Sequence, residues 1–245
     1  MFFHIYSLIY TIFFIFFLEV SAFIPGFSFY LALFVALFSL ITAKKIGKRY
    51  LYTIIPFFFS LSSVLILYLV DHMVEKQTVL ILSAIIYYLC FLGIYRLNNY
   101  AKDQTARGFI SASAISTIFL SYAFSYGVYL NFSIPLWILM IVFFIVTFLV
   151  SYQYFSLIEE NRRKIFIYSA VLGMIMSEVA WVINFWPFGY LTTGAIALIF
   201  YYIFWDLTQS HFLNILSKKR VVANVIFFTV MIVLILATSH WLPVV

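Results

Sequence analysis

Charged residues are scarce in this chain of 245 residues: Asp, Glu, Lys and Arg together make up only 9%. A soluble globular domain usually carries about 25%. Hydrophobic residues make up 66% of the chain and aromatic residues 22%. This composition excludes an ordinary water-soluble domain, and it predicts a protein that is embedded in a lipid bilayer.

Cysteine and the common catalytic motifs are also nearly absent. The only cysteine is Cys90, which excludes an internal disulfide, and its apolar surroundings in the sequence are typical of a buried hydrophobic residue. The chain lacks the glycine-rich phosphate loops, the nucleophile elbow and the HExxH motif. We therefore expect no cofactor. No metal site is predicted either, because Asp71, His72, Glu75 and His240 do not follow a metal-ligand spacing.

Long apolar runs fill most of the sequence. A helix needs about 20 such residues to cross a bilayer, and in lipid only a helix or a closed barrel satisfies every backbone polar group. We predict an all-α fold, a polytopic transmembrane bundle of about nine spans that forms a single domain over residues 1–245. The predicted spans are 3–24, 27–43, 50–70, 77–95, 109–130, 134–156, 165–186, 188–206 and 221–242.

Positive charge marks the orientation of these spans. Thirteen of the fourteen Lys and Arg residues lie in the segments 44–49, 96–107, 162–164 and 218–220. Short basic loops remain on the cytoplasmic side, so we predict an inner N-terminus, an outer C-terminus and a location in the cell membrane. The pI of 9.3 then reflects topology and not a nucleic-acid partner. Tryptophans at the predicted membrane interfaces agree with this map: Trp137, Trp186, Trp205 and Trp241.

Two segments have alternative interpretations. The first span could be a signal peptide, because Val20, Ser21 and Ala22 resemble a cleavage site; the absence of a basic residue before it favours a retained helix. The inner loop 207–220 mixes apolar and polar residues, which predicts a short helix lying on the inner membrane surface.

Glu178 is the strongest candidate for a functional residue. It lies well inside the seventh predicted span, where an ionisable group costs about 2.5 kcal/mol or more and therefore usually has a role. Trp181 follows on the same helical face and would provide an aromatic, low-dielectric surface. Glu19, at a similar height in the first span, is a candidate acid–base or cation-binding partner. A purely structural role, with the carboxyl group hydrogen-bonded to a neighbouring helix, is the alternative for both.

The fifth span carries hydroxyl side chains at every fourth position, so they lie on one face of the helix. This stripe predicts either a hydrophilic path or, more commonly, a seam at which helices pack closely. Its members are Ser113, Thr117, Ser121 and Ser125.

Spans seven to nine, with the Trp186-Pro187-Phe188-Gly189 turn, resemble uncharacterised bacterial polytopic membrane families, and that resemblance implies no activity.

The sequence leaves three hypotheses for the function. The first is a small transporter or the membrane subunit of a transport system. The second is an enzyme that acts on a lipid or lipid-linked substrate at the outer leaflet. The third is a scaffold that binds another membrane protein or a second copy of itself.

Overall fold

A computed structural model of the chain describes residues 2–100 and 102–238, and within them the fold is all-α. These residues form nine α-helices that are long and apolar enough to cross a membrane, as the sequence predicted. Which ends face the cytoplasm remains a prediction. The helices are α1 Phe2–Phe23, α2 Ser28–Gly47, α3 Ile54–Leu69, α4 Met73–Asn99, α5 Gln104–Asn131, α6 Leu136–Phe155, α7 Arg162–Ile183, α8 Tyr190–Phe212 and α9 Lys218–Thr238.

The chain divides into two compact units, Met1–Ser121 and Tyr122–Val245. Unit 1 contains α1 to α4 and the first part of α5, and unit 2 contains the rest of α5 and α6 to α9. Each unit has a basic end, where its Lys and Arg residues cluster: residues 44–49 and 96–107 in unit 1, and 162–164 and 218–220 in unit 2. The interpretation as one domain stays a prediction.

Several predicted boundaries were wrong, and the largest error lies at the end of α8. The helix continues six residues beyond Asp206 to Phe212, so the first half of the predicted inner loop is not a separate surface helix. No Pro or Gly interrupts residues 207–212, and nothing in their sequence stops the helix. Helix α4 is likewise longer than predicted at both ends. Residues 239–242 of the ninth predicted span, with His240 and Trp241, lie outside the described residues.

The core of unit 1 centres on Tyr87 of α4. Its ring stacks on Phe14 of α1 with a centroid distance of 4.0 Å and an interplanar angle of 9°. Its hydroxyl lies 2.9 Å from Ser39 Oγ of α2, so the polar end of this fully buried side chain is hydrogen-bonded. One residue therefore joins three helices, through apolar contact on its faces and a hydrogen bond at its tip.

The core of unit 2 is likewise built around a buried tyrosine, Tyr122 of α5, whose ring is stacked and whose hydroxyl is hydrogen-bonded. The ring stacks on Phe143 of α6 at 4.0 Å, and the hydroxyl lies 2.6 Å from Thr147 Oγ1, one turn further along α6. Helices α8 and α5 are also in close contact, at Gly194 and Ala123. A Cβ on Gly194 would lie only 2.9 Å from Ala123 Cβ. Small residues and buried hydroxyls therefore hold these helices together, as is usual for packing in membranes.

Helices α4 and α5 are joined by a short turn at the basic end of unit 1. Arg96 Nε lies 2.7 Å from Asp103 Oδ2, and the Ala106 amide donates to Asp103 Oδ1 at 3.1 Å. That amide hydrogen bond, together with the Arg96 side chain, lowers the pKa of Asp103. The turn thus keeps a charged carboxylate at the start of α5, where it satisfies a free backbone amide.

Candidate functional site

Glu178 and Trp181 lie on the exposed face of α7, in unit 2. Trp181 is 49% exposed and contacts Phe185 edge to face, with ring centroids 5.5 Å apart. The buried face of the same helix carries Gly173, Met176 and Ala180. The carboxylate of Glu178 therefore points away from the packed interior, and its predicted role in function remains a prediction.

Glu19 lies in α1 of unit 1 and is partly buried. It accepts a hydrogen bond from Gln77 Nε2 of α4 at 3.2 Å. This contact joins the two helices and fits the structural interpretation of Glu19, because a carboxylate in a low-dielectric setting needs such a partner. The predicted pairing of Glu19 with Glu178 stays a prediction, since the two residues belong to different units.

The hydroxyl stripe of α5 is largely buried. Ser113 and Thr117 are fully buried, and Ser121 is 5% exposed. Ser113 donates to the Phe109 carbonyl at 2.8 Å, and Thr117 donates to the Ser113 carbonyl at 2.7 Å. Hydroxyls that bond to the preceding turn of their own helix present a compact surface to neighbouring helices. These contacts favour a packing seam over a hydrated path.

A thiol-labelling experiment tests this choice. We expect Ser121→Cys and Ser125→Cys, made in a Cys90→Ala background, to react slowly with a small water-soluble maleimide, because a packed seam admits little water. Thr105→Cys, at an exposed position near the start of α5, is the matched control and should label rapidly. Rapid labelling of both seam cysteines would instead favour the hydrated path.

The structure reveals a buried carboxylate that the sequence analysis had placed at the edge of a loop. Asp206 of α8 is 7% exposed, and its Oδ2 accepts a hydrogen bond from Asn224 Nδ2 of α9. Asp206 precedes the end of α8 by six residues, and Asn224 follows the start of α9 by six. At about 1.5 Å per residue, both lie about 9 Å from the basic end of unit 2.

Other polar side chains lie close to Asp206 along α8, and Tyr154 of α6 contacts two of them. Tyr154 donates from its hydroxyl to Gln209 Oε1 at 3.3 Å, and its ring lies 4.8 Å from that of Trp205. Gln209 and Ser210 follow Asp206 by three and four residues, so they share its helical face. We call this group the polar layer; its members are Tyr154, Trp205, Asp206, Gln209, Ser210 and Asn224.

Two donors in the polar layer are buried and have no hydrogen-bond partner in the part of the chain that the structure describes: Trp205 Nε1 and Ser210 Oγ. Trp205 is 4% exposed, so its ring packs against protein, and its position at the membrane interface stays a prediction. Unpaired polar atoms are rare in protein interiors because each costs about 1–3 kcal/mol. A carboxylate, two amides and an unpaired hydroxyl within one layer supply the oxygen atoms that a proton or a hydrated monovalent cation prefers.

Three of the side chains considered as metal ligands, those of Asp71, His72 and Glu75, are exposed. Asp71 and His72 lie between α3 and α4, Glu75 lies in the first turn of α4, and His240 lies outside the described residues. Among residues 2–100 and 102–238, no group of three or more His, Cys, Asp or Glu side chains is placed to hold a metal ion.

Comparison with protein families gives a match over most of the chain. The model of DUF5656, a family described as proteins of unknown function, matches residues 39–238, which is most of the chain and includes the whole polar layer. No curated protein and no solved structure matches the chain significantly.

Proposed function

We propose that the chain, which belongs to the DUF5656 family, is a small membrane transporter or the membrane subunit of a transport system, with Asp206 as its proton- or cation-sensitive group. The observation that carries this proposal is the burial of Asp206 within a polar layer, on a helix apolar enough to cross a membrane. Carboxylates in such helices are costly and usually serve ion or substrate pathways.

The contact between α8 and α9 suggests how an ion would be coupled to movement. None of the residues Val221–Thr238 of α9 is buried, so this helix packs loosely on its neighbours. The Asn224 amide joins it to Asp206. A proton on Asp206 would weaken that hydrogen bond because the amide donor prefers a charged carboxylate, and a cation would weaken it by competing with the amide for the carboxylate oxygens. Ion binding would then loosen α9 from α8 near the basic end of unit 2.

Reconstituted vesicles test the transport activity. The purified chain would be placed in vesicles that enclose the pH-sensitive dye pyranine, with a proton gradient across the membrane and Na⁺ or K⁺ added outside. We expect a change in internal pH that depends on the added cation and exceeds that of protein-free vesicles. Equal rates in vesicles with and without protein, for both cations, would contradict the proposal.

The same proposal places the protein in the cell membrane with both basic ends in the cytoplasm. Orientation follows from the short basic loops, since positive residues near helix ends resist translocation. We expect a C-terminal reporter fusion to read external and four internal fusions to read cytoplasmic. A cytoplasmic C-terminus would remove one span from this topology. The four internal fusion sites follow Lys48, Lys102, Lys164 and Lys219.

A further inference from the structure

A pocket of about 290 Å³ lies at the basic end of unit 1, apart from the polar layer. Three helices form it: the first turns of α1, the C-terminal end of α2 and the last turn of α4. No described residue in its lining is acidic. The lining includes Tyr6, Lys45, Lys48, Tyr95, Asn98 and Asn99.

Two positive charges line this pocket, those of Lys45 and Lys48. Among the residues that the structure describes, neither lysine forms an ion pair. The adjacent Lys44 is engaged elsewhere, because its ammonium group donates to the Tyr50 hydroxyl and lies 3.9 Å from the centroid of that ring. The three lysines of the segment 44–49 are therefore divided: one binds an aromatic ring, and two line the pocket.

The backbone at the end of α2 fixes the position of these lysines. Lys48 adopts a left-handed conformation with φ 55° and ψ 2°, uncommon for a residue other than glycine, and its amide donates to the Lys44 carbonyl. A Cβ on the preceding Gly47 would lie 2.7 Å from Tyr52 Cδ2 and 2.9 Å from Ile94 Cγ2. Glycine thus lets the end of α2 lie directly against α4, which brings the lysines to the asparagines.

We propose that this pocket binds a phosphate group, carried either by the headgroup of an anionic phospholipid or by a small soluble phosphate. Lysine ammonium groups are strong donors to phosphate oxygens, and the side-chain amide of Asn98 adds neutral donors. The Asn99 amide donates to the Tyr95 carbonyl at 3.3 Å, which leaves its second N–H as a further donor. The volume lies at the lower limit for ligand pockets, about 300 Å³, and suits a phosphate with a small substituent. Basic pockets between membrane helices on the cytoplasmic side commonly hold lipid headgroups.

Membrane orientation alone does not explain this arrangement. Cytoplasmic lysines need only be near a helix end to set topology, and they need no concave setting. Here two of them share a pocket with two amides and with the Tyr6 and Tyr95 side chains, and none of the described residues that line it is acidic. That combination of shape and donors points to an anionic ligand rather than to the membrane surface in general.

Binding measurements on the full purified chain in a neutral detergent test the proposal. One set would titrate phosphatidylglycerol, with phosphatidylcholine as the zwitterionic control, and read bound lipid by native mass spectrometry. The other would titrate inorganic phosphate against chloride at equal ionic strength and read the melting temperature. Selective retention of phosphatidylglycerol identifies a lipid ligand, and selective stabilisation by phosphate identifies a soluble one. Absence of both effects would overturn the proposal.

Paired variants locate the binding. Lys45→Gln with Lys48→Gln removes both pocket charges, and we expect it to weaken the observed binding at least tenfold. Lys218→Gln with Lys219→Gln makes the same change in net charge at the basic end of unit 2 and should alter binding less than twofold. Equal losses in the two variants would overturn the proposal in favour of general surface charge. Asn98→Ala provides a milder second test should the double lysine variant not fold.

Discussion

Asp206→Asn should abolish the cation-dependent pH change in proteoliposomes. The substitution keeps the size of the side chain and its capacity to hydrogen-bond with Asn224, but the amide cannot take up a proton or carry the negative charge that binds a cation. If Asp206 is the coupling group, the flux rate should fall to that of protein-free vesicles. Pyranine fluorescence after a Na⁺ or K⁺ pulse measures the effect.

Two other carboxylates provide matched controls for this variant. Glu178→Gln and Glu19→Gln remove one titratable group each from an exposed and from a partly buried position. We expect both to retain most of the wild-type flux. The melting temperatures of Glu178→Gln, Glu19→Gln and Asp206→Asn should be similar. Loss of flux in Glu178→Gln alone would transfer the coupling role to α7 and restore the interpretation that the sequence favoured. Full activity in Asp206→Asn would remove Asp206 from the mechanism.

The helices themselves were predictable because their apolar runs are long and their connections carry the few charges. In lipid, a segment of about 20 apolar residues has little alternative to a helix, so composition alone determines the secondary structure. The ends were less predictable. Helix α8 continues past Asp206 to Phe212. The residues that follow Asp206 are compatible with either a helix or a loop, so their sequence did not show where the helix ends.

The same boundary error concealed the candidate site. A carboxylate in contact with lipid is so unfavourable that Asp206 served as a marker for the end of a span. The cost is much lower when a protein partner replaces water, and that partner, Asn224, lies eighteen residues away on the next helix. Nothing in the local sequence identifies such a partner. The spacing of Asp206, Gln209 and Ser210 on one helical face was the available signal.

At Glu178 the local signal was strong, but the face of α7 that carries this residue was not considered; its role in function stays a prediction. The small residues of α7, Gly173 and Ala180, lie on its buried face together with Met176. Glu178 stands two residues from Met176 and two from Ala180, which places it on the far side of a helix with about 3.6 residues per turn. Small residues usually mark the packed face in membrane helices, so the side of α7 that carries Glu178 could have been predicted from the sequence.

Because α8 packs closely on α5 at Gly194, we expect Gly194→Leu to have a large effect on the structure. A Cβ at this position would lie 2.9 Å from Ala123 Cβ, 3.0 Å from its Cα and 3.1 Å from its backbone nitrogen. Two of these atoms belong to the backbone of α5, so rotation of a side chain cannot relieve the clash. Overpacking by even one methyl group typically costs about 1–3 kcal/mol, and a leucine would have to separate α8 from α5 within unit 2.

We therefore expect Gly194→Leu to yield no monodisperse protein on size-exclusion chromatography, and Gly194→Ala to yield protein with a clearly lowered melting temperature. Gly108→Leu is the control, because it makes the same replacement in a helix where a Cβ would meet nothing within 4 Å. Both leucine variants gain the same helix propensity and the same apolar surface, so only the contact with Ala123 distinguishes them. Equal melting temperatures for Gly194→Leu and Gly108→Leu would contradict the close approach of α8 to α5, and with it the packing that positions α8 in unit 2.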